Sequence, residues 1–353
     1  MDRLPDRPAS LKAPPRYAAY AAARKLPNIV VDGGPLPSTV LTLSHWPNNR
    51  TPDELRRDTS TDTVFAYLDA PDRYPSAPWV TNNHFDEDGL CSMFALTAPE
   101  RALEDRAVLV AASYAGDFGL VRDEDGARLC FAIEALTDPE ASPLPAETFA
   151  GKDRVSALYG AMLESLPSLL RDQRHGWPRF GDLWAYQYEH LKASRALLAD
   201  GIVSLVEYPA LDLAVVRVPA HLPRRPVRRY LQDELAAVHP FAINSATKCS
   251  RILRAQGNHY EFEYRYESWV RLATRRVPLR VRLEPLAERL NGIDGGSGWV
   301  AEDPMETAPR LWRPDGTPSS LSLDAVLLEL EAALTSAPVA WDPYDWPTGA
   351  DPS

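Results

Sequence analysis

Residues 82 to 92 read Asn82-Asn83-His84-Phe85-Asp86-Glu87-Asp88-Gly89-Leu90-Cys91-Ser92, and their types and spacing suit a divalent-metal site. In an extended backbone the side chains of residues i, i+2 and i+4 project to one side, so His84, Asp86 and Asp88 are expected to converge on one point. Two carboxylates held together need a compensating positive charge. Mixed nitrogen and oxygen donors suit manganese first, with magnesium, iron or zinc as the other candidates, whereas calcium prefers oxygens alone. The plainer account of such a run is a polar loop whose acids are solvated. An EF-hand does not fit, because with Gly89 at the sixth loop position the twelfth would be Ala95 in place of a bidentate Glu.

The flanking residues favour a positioned site. Trp79-Val80 precede the run, Gly89 permits a sharp turn, and Leu90, Met93, Phe94 and Leu96 then supply an apolar helical stripe. That is a strand, loop and helix unit. In an open parallel sheet, ligands gather at the carboxyl ends of strands, where this loop falls. Upstream, Asn28 to Asp32 and Thr39 to Ser44 read as strands, Thr51-Pro52-Asp53-Glu54 as the start of a helix through Leu68, and Ala77 to Thr81 as the next strand. His45 ends its strand in the same sense as His84, so both belong on one rim. Asp117, in Ala115-Gly116-Asp117-Phe118-Gly119, is the best further carboxylate, held between glycines in an expected turn; an ordinary turn aspartate is the alternative.

From residue 99 to about 200 the pattern is helical, with segments near 99–114, 127–137, 151–171 and 179–199. Beyond Gly201 it turns to strands. Residues 202–208 and 211–218 form one expected hairpin, and 251–255 with 260–270 another that turns at 256–259. Tyr260, Phe262, Tyr264 and Tyr266 alternate with charged residues, which fits an aromatic face packed in a core better than one that stacks a base. The expected fold is therefore α/β: a parallel-sheet N-terminal lobe with a helical segment, and a smaller β-rich (α+β) C-terminal lobe. The expected divisions are an N-terminal arm at 1–27, an α/β metal-binding domain at 28–200, a β-rich lobe at 201–336 and an extended tail at 337–353.

The chain has 353 residues, 45% of them hydrophobic and 25% charged, with a net charge of −11. That composition is ordinary for a globular protein, and the acidic balance argues against extended nucleic-acid binding. No run approaches the length of a membrane span, and Met1-Asp2-Arg3-Leu4-Pro5-Asp6 lacks a secretory core, so a cytoplasmic protein is expected. Three scattered cysteines, Cys91, Cys130 and Cys249, indicate neither disulfides nor a cysteine zinc knuckle. The arginine runs at Arg224, Arg225, Arg228, Arg229 and at Arg275, Arg276, Arg280, Arg282 suit phosphate clamps or, more commonly, pairing with the excess acids. Gly295-Gly296-Ser297-Gly298 reads as a connector, and His239 and His259 as structural groups.

The string His84-x-Asp86-x-Asp88-Gly89-x-x-Ser92 resembles the first motif of the DHH phosphoesterase superfamily, over about ten residues closely and about the first 200 loosely in element order. The resemblance implies a metal-binding loop after a parallel strand, two manganese ions, ligand roles for His84, Asp86 and Asp88, and a second-motif role for Asp117. The chain departs from that pattern in having no Asp-His-His triplet and no glycine-rich histidine signature in its second half. The whole chain, including Leu43-Ser44-His45-Trp46-Pro47 and Tyr264-Arg265-Tyr266-Glu267-Ser268-Trp269-Val270, also resembles an uncharacterised bacterial protein family, which brings no assigned activity.

The expected function is a metal-dependent hydrolase, a phosphoesterase or pyrophosphatase acting on a small phosphorylated or nucleotide-like molecule in a cleft between the lobes. A metal at His84, Asp86, Asp88 and Asp117 would activate water and polarise a phosphoryl oxygen. His45 would orient the leaving group or complete the metal shell, and Asn83 would donate a hydrogen bond to substrate. The alternative is a non-catalytic ligand-binding protein on a degenerate scaffold of the same kind.

Overall fold

The computed structural model describes residues 13–345 apart from 48, 141, 152, 231 and 297. The structure is α/β, and its chain divides into two compact units. The first holds the described residues up to Gly116 together with Arg122–Trp184; the second holds Asp117–Val121 and the residues from Ala185 onward.

The first unit is built on a four-stranded, all-parallel sheet of β1 (Arg16–Tyr17), β2 (Asn28–Val31), β3 (Thr39–Leu43) and β4 (Trp79–Thr81), in the order β1-β4-β2-β3. All four residues of β2 are buried, as expected of a β-branched run covered on both faces of a parallel sheet. β1 falls within the segment read as an arm, and with α1 (Tyr20–Ala23) it makes residues 16–23 part of the fold. Because the strands are parallel, the carboxyl ends of β2, β3 and β4 share one rim.

Two helices follow that rim. α2 (Ser60–Leu68) begins later than the Thr51-Pro52-Asp53-Glu54 signal suggests, since residues 53–55 make only a 3-10 turn and Thr59 is the N-cap, accepting from the Asp62 amide. α3 (Glu87–Thr97) has Asp86 as N-cap and ends at Ala98 before Pro99. α4 (Pro99–Glu104), α5 (Arg106–Phe118), α6 (Glu124–Leu136), α7 (Glu147–Ala150), α8 (Arg154–Arg174) and α9 (Gly181–Ala199) complete the helical stretch.

The second unit carries a six-stranded mixed sheet of β5 (Ser204–Tyr208), β6 (Leu213–Val218), β9 (Arg251–Gln256), β10 (His259–Tyr264), β12 (Val300–Ala301) and β13 (Arg310–Trp312). A hairpin, β7 (Arg225–Arg229) with β8 (Gln232–Ala236), precedes α10 (Pro240–Ala246). Tyr260, Phe262 and Tyr264 of β10 enter a core shared with α11 (Glu284–Ile293) and α12 (Leu323–Ser336). β10 stops at Tyr264, and Tyr266 lies in a 3-10 turn instead of on the strand.

The opposite face of this sheet binds charge to charge. Glu263 accepts from Arg229 at 2.8 Å and from Arg254 at 2.6 Å, and Arg254 also pairs with Glu261. Arg280 is fully buried and donates to the carbonyls of Pro304 and Thr307, so Arg229 and Arg280 of those runs are committed to interior partners. The stretch from 337, expected to wrap the surface, forms β14 (Val339–Trp341) against β11 (Arg280–Val281), with Trp341 buried and stacked on Trp269 at 5.6 Å. Trp346 and Ser297 lie outside the described residues. Among the described residues no helix is long and apolar enough to cross a membrane.

Candidate metal centre

Each of β2, β3 and β4 leads into a residue able to bind a cation. β2 runs into Asp32, β3 into Ser44-His45, and β4 into Asn82-Asn83-His84. Asp32 has φ +46°, a left-handed conformation that turns the chain sharply after the strand and is tolerated by Asp more readily than by most residues. Two glycines let the loops close in. A Cβ on Gly33 would stand 2.2 Å from Asn83 Oδ1, and one on Gly89 would stand 2.5 Å from the Tyr159 hydroxyl and 2.6 Å from Asn82 Nδ2.

Asp32 is 1% exposed and occupies the middle of two groups. On one side its Oδ1 lies 3.3 Å from His45 Nε2, which in turn lies 3.8 Å from Asp88 Oδ2. On the other side its Oδ2 lies 3.2 Å from His84 Nε2, which is 2.9 Å from Asp86 Oδ2. Within each group of three the donor atoms fall within 4.8 Å of one another. His84, Asp86 and Asp88 therefore do not meet at one point. The strand ends at Thr81, and Asp86 and Asp88 belong to the cap and first turn of α3, so the alternation of an extended chain does not apply to them.

The backbone fixes these side chains. Both oxygens of Asp88 accept amides at the start of α2, from Ser60 and Thr61, each at 2.7 Å. A helix N-terminus favours a carboxylate at that place. The Ser60 hydroxyl donates to Asp32 Oδ1 at 2.9 Å, and Asp86 Oδ1 accepts the Gly89 amide at 2.7 Å. The His84 ring lies 4.8 Å from the Trp46 ring.

His45 Nδ1 is 2.5 Å from the Asp58 carbonyl, an acceptor, so Nδ1 carries the proton. A neutral His45 then turns the lone pair of Nε2 toward two carboxylates. That arrangement is repulsive unless the imidazole is protonated or a cation sits among the three. A ring nitrogen anchored on a backbone carbonyl is also the usual support of a metal-binding histidine. At about 2.1 Å from each ligand, a first-row ion sets neighbouring donors roughly 3.0 to 3.4 Å apart, close to the spacings here. Asp32 Oδ2 adds a second sign of fit: it is buried and accepts no hydrogen bond, with His84 Nε2 its near neighbour. The residues present would suit divalent ions in two groups that have Asp32 in common.

Without an ion the protons answer to the same charges. Burial pushes the Asp32 carboxyl up, but the His45 and His84 imidazoles beside it outweigh burial and hold it below the usual carboxylate range. Burial lowers His45 and His84, yet Asp32 acting on the first and Asp86 with Asp32 on the second raise both. Burial and the charge of Asp32 push Asp88 up, against the amides of α2.

Asp117 joins neither group. The expected turn is the last turn of α5, where Gly116 is accommodated as a helical residue, and the Asp117 carbonyl accepts from the Tyr230 hydroxyl at 3.0 Å. Asn83 is placed at the rim, its Oδ1 accepting the Gly34 amide at 3.1 Å. His45 lies inside the cluster with its side chain fully buried, its Nε2 facing Asp32 and Asp88. His239 caps α10 in the second unit, its Nδ1 accepting from the Phe241 amide, and His259 opens β10. Asp32 was readable in Ile29-Val30-Val31-Asp32-Gly33-Gly34, an acid closing a buried strand before a glycine pair. A carboxylate in that setting also reads as a plain turn residue.

Fold and site define a mixed α/β protein with a carboxylate and histidine cluster on the rim of a parallel sheet. The chain belongs to DUF6687, a family of unknown function whose pattern matches residues 13–345. No curated protein and no solved structure matches it.

Proposed function

We propose that the protein is a divalent-metal-dependent hydrolase of phosphoesters or phosphoanhydrides in small phosphorylated molecules. The observation that supports this most is the sharing of Asp32 between two histidine and carboxylate groups, an arrangement suited to two ions a few ångströms apart, as in two-metal phosphoryl-transfer centres. Asp32, His45 and Asp88 would hold one ion; Asp32, His84 and Asp86 would hold the other. When bound, such ions supply an activated water and a Lewis acid for a phosphoryl oxygen.

The chain's own groups do the rest. Asn83, fixed by the Gly34 amide through Oδ1, keeps Nδ2 as a donor for an anionic oxygen. The Gly89 amide and His84 hold Asp86 from both of its oxygens, which limits its freedom to swing into solvent. Manganese is the first choice for the ion, with magnesium, iron and zinc compatible with the same donors.

The test is turnover of bis(p-nitrophenyl) phosphate and inorganic pyrophosphate by purified protein with added Mn2+. We expect metal-dependent hydrolysis of at least one, abolished in Asp32→Asn and in the double variant Asp86→Ala with Asp88→Ala. Turnover unchanged in those variants, or absent from the wild type across a phosphodiester and phosphoanhydride panel, contradicts the reading.

A further inference from the structure

The two groups around Asp32 differ in access. His45 and Asp88 have fully buried side chains and Asp32 is 1% exposed, whereas His84 and Asp86 are 27% and 24% exposed. They also differ in anchorage. His45 is tied to the Asp58 carbonyl, Asp88 to the Ser60 and Thr61 amides, and Asp32 Oδ1 to the Ser60 hydroxyl, so the inner ligands are all held by residues 58–61 around the start of α2. His84 Nδ1 makes no hydrogen bond among the described residues.

We infer that the two metal positions are not equivalent: the inner one, at His45, Asp88 and Asp32 Oδ1, holds a permanent ion, and the outer one, at His84, Asp86 and Asp32 Oδ2, an exchangeable ion. The inference rests on the centre proposed above and assigns its parts. Release of the inner ion requires a sealed ligand to leave, which breaks hydrogen bonds to residues 58–61 and opens the start of α2, a local unfolding step. Release of the outer ion needs only the partly exposed His84 to rotate, its Nδ1 being unanchored, while Asp86 stays on the Gly89 amide. Three protein donors leave coordination positions open, and solvent or a substrate oxygen can reach them only on the outer side. The inner ion also fixes the Asp32 bridge on which the outer position depends, so loading is ordered, inner before outer.

Protein saturated with Mn2+, passed over a desalting column and mixed with excess EDTA, is sampled over time for retained manganese by mass spectrometry, with the thermal midpoint measured in parallel. Two ions per chain are expected at the start, one leaving at least roughly tenfold faster than the other. The melting midpoint should fall mainly with the slow phase. His84→Gln and Asp86→Asn should remove the fast phase and keep the slow one; His45→Gln should remove the slow one. Should His45→Gln fail to fold, the two outer variants still decide the matter. A single release phase of two ions, or loss of the slow phase in His84→Gln and Asp86→Asn, overturns the inference. Biphasic release without hydrolysis would count against the hydrolase and leave this inference standing; hydrolysis with a single release phase would do the reverse.

Discussion

Two of the places where the described residues bury charge balance it in different ways. In the second unit, Glu263 and Glu261 face Arg229 and Arg254, acid against guanidinium, and burial, which pushes Glu263 up, is overcome by the two arginines, which bring it down to about 2. In the first unit, three carboxylates face two imidazoles, whose charge is conditional, and each histidine presents Nε2 to a pair of acids. A guanidinium stays charged at any ordinary pH, so the first arrangement is complete in itself. The second depends on protonated imidazoles, which burial opposes, or on a cation. Interior charges closed by arginine are settled within the architecture, and interior charges left to histidine are the ones the proposed ions would settle.

The largest expected effect falls on the closed cluster. Glu263→Ala leaves two buried guanidinium groups short of a partner and should cost about 3 to 5 kcal/mol in urea denaturation, with or without metal. A loss below 1 kcal/mol would mean that the pair is solvated and the contrast with the rim cluster is weak.

Next comes metal-linked stability. Mn2+ at about one hundred times its dissociation constant should stabilise the wild type by about 2.7 kcal/mol per site and leave Asp32→Asn unchanged. An equal shift in both proteins would place the ions elsewhere. Smaller again, Gly89→Ala pushes a methyl group against Tyr159 and Asn82 and should cost roughly 1 to 3 kcal/mol while weakening Mn2+ binding. If thermal denaturation and calorimetric titration of that variant match the wild type, the loop is not closed as described.

The smallest effect is on pH dependence. Glu263 has a depressed pKa in the folded state, so its contribution is fully present above the unfolded value near 4.5 and is lost as pH falls toward about 2. Between pH 5 and pH 4 the wild type should lose about 0.7 kcal/mol relative to Glu263→Gln. A difference of opposite sign would show that Glu263 is not held ionised by Arg229 and Arg254.

Much of the rim was readable from local pattern, and the centre was not. Parallel strands ending in His45 and His84 follow from hydrophobic runs and turn residues, which are short-range signals. The helix start was misplaced because Thr51-Pro52-Asp53-Glu54 and Thr59-Ser60-Thr61-Asp62 both carry capping chemistry, and only packing against α3 selects the second. That shift hid the anchors of Asp88. Asp117 looked like a turn residue since Gly116 and Gly119 flank it, yet a helix absorbs Gly116 and only Gly119 takes a positive φ. Asp32 and Asp88 lie 56 positions apart, and only the strand order brings them to one histidine.

Diffraction from crystals grown with Mn2+, collected above and below the manganese absorption edge, tests the bridging role of Asp32 most directly. Two anomalous peaks are expected, one beside each Asp32 oxygen and about 3.5 to 4 Å apart, the first within reach of His45 and Asp88 and the second of His84 and Asp86. No peak within coordination distance of either oxygen, with His45 and His84 protonated and paired directly with the carboxylates, would contradict the account.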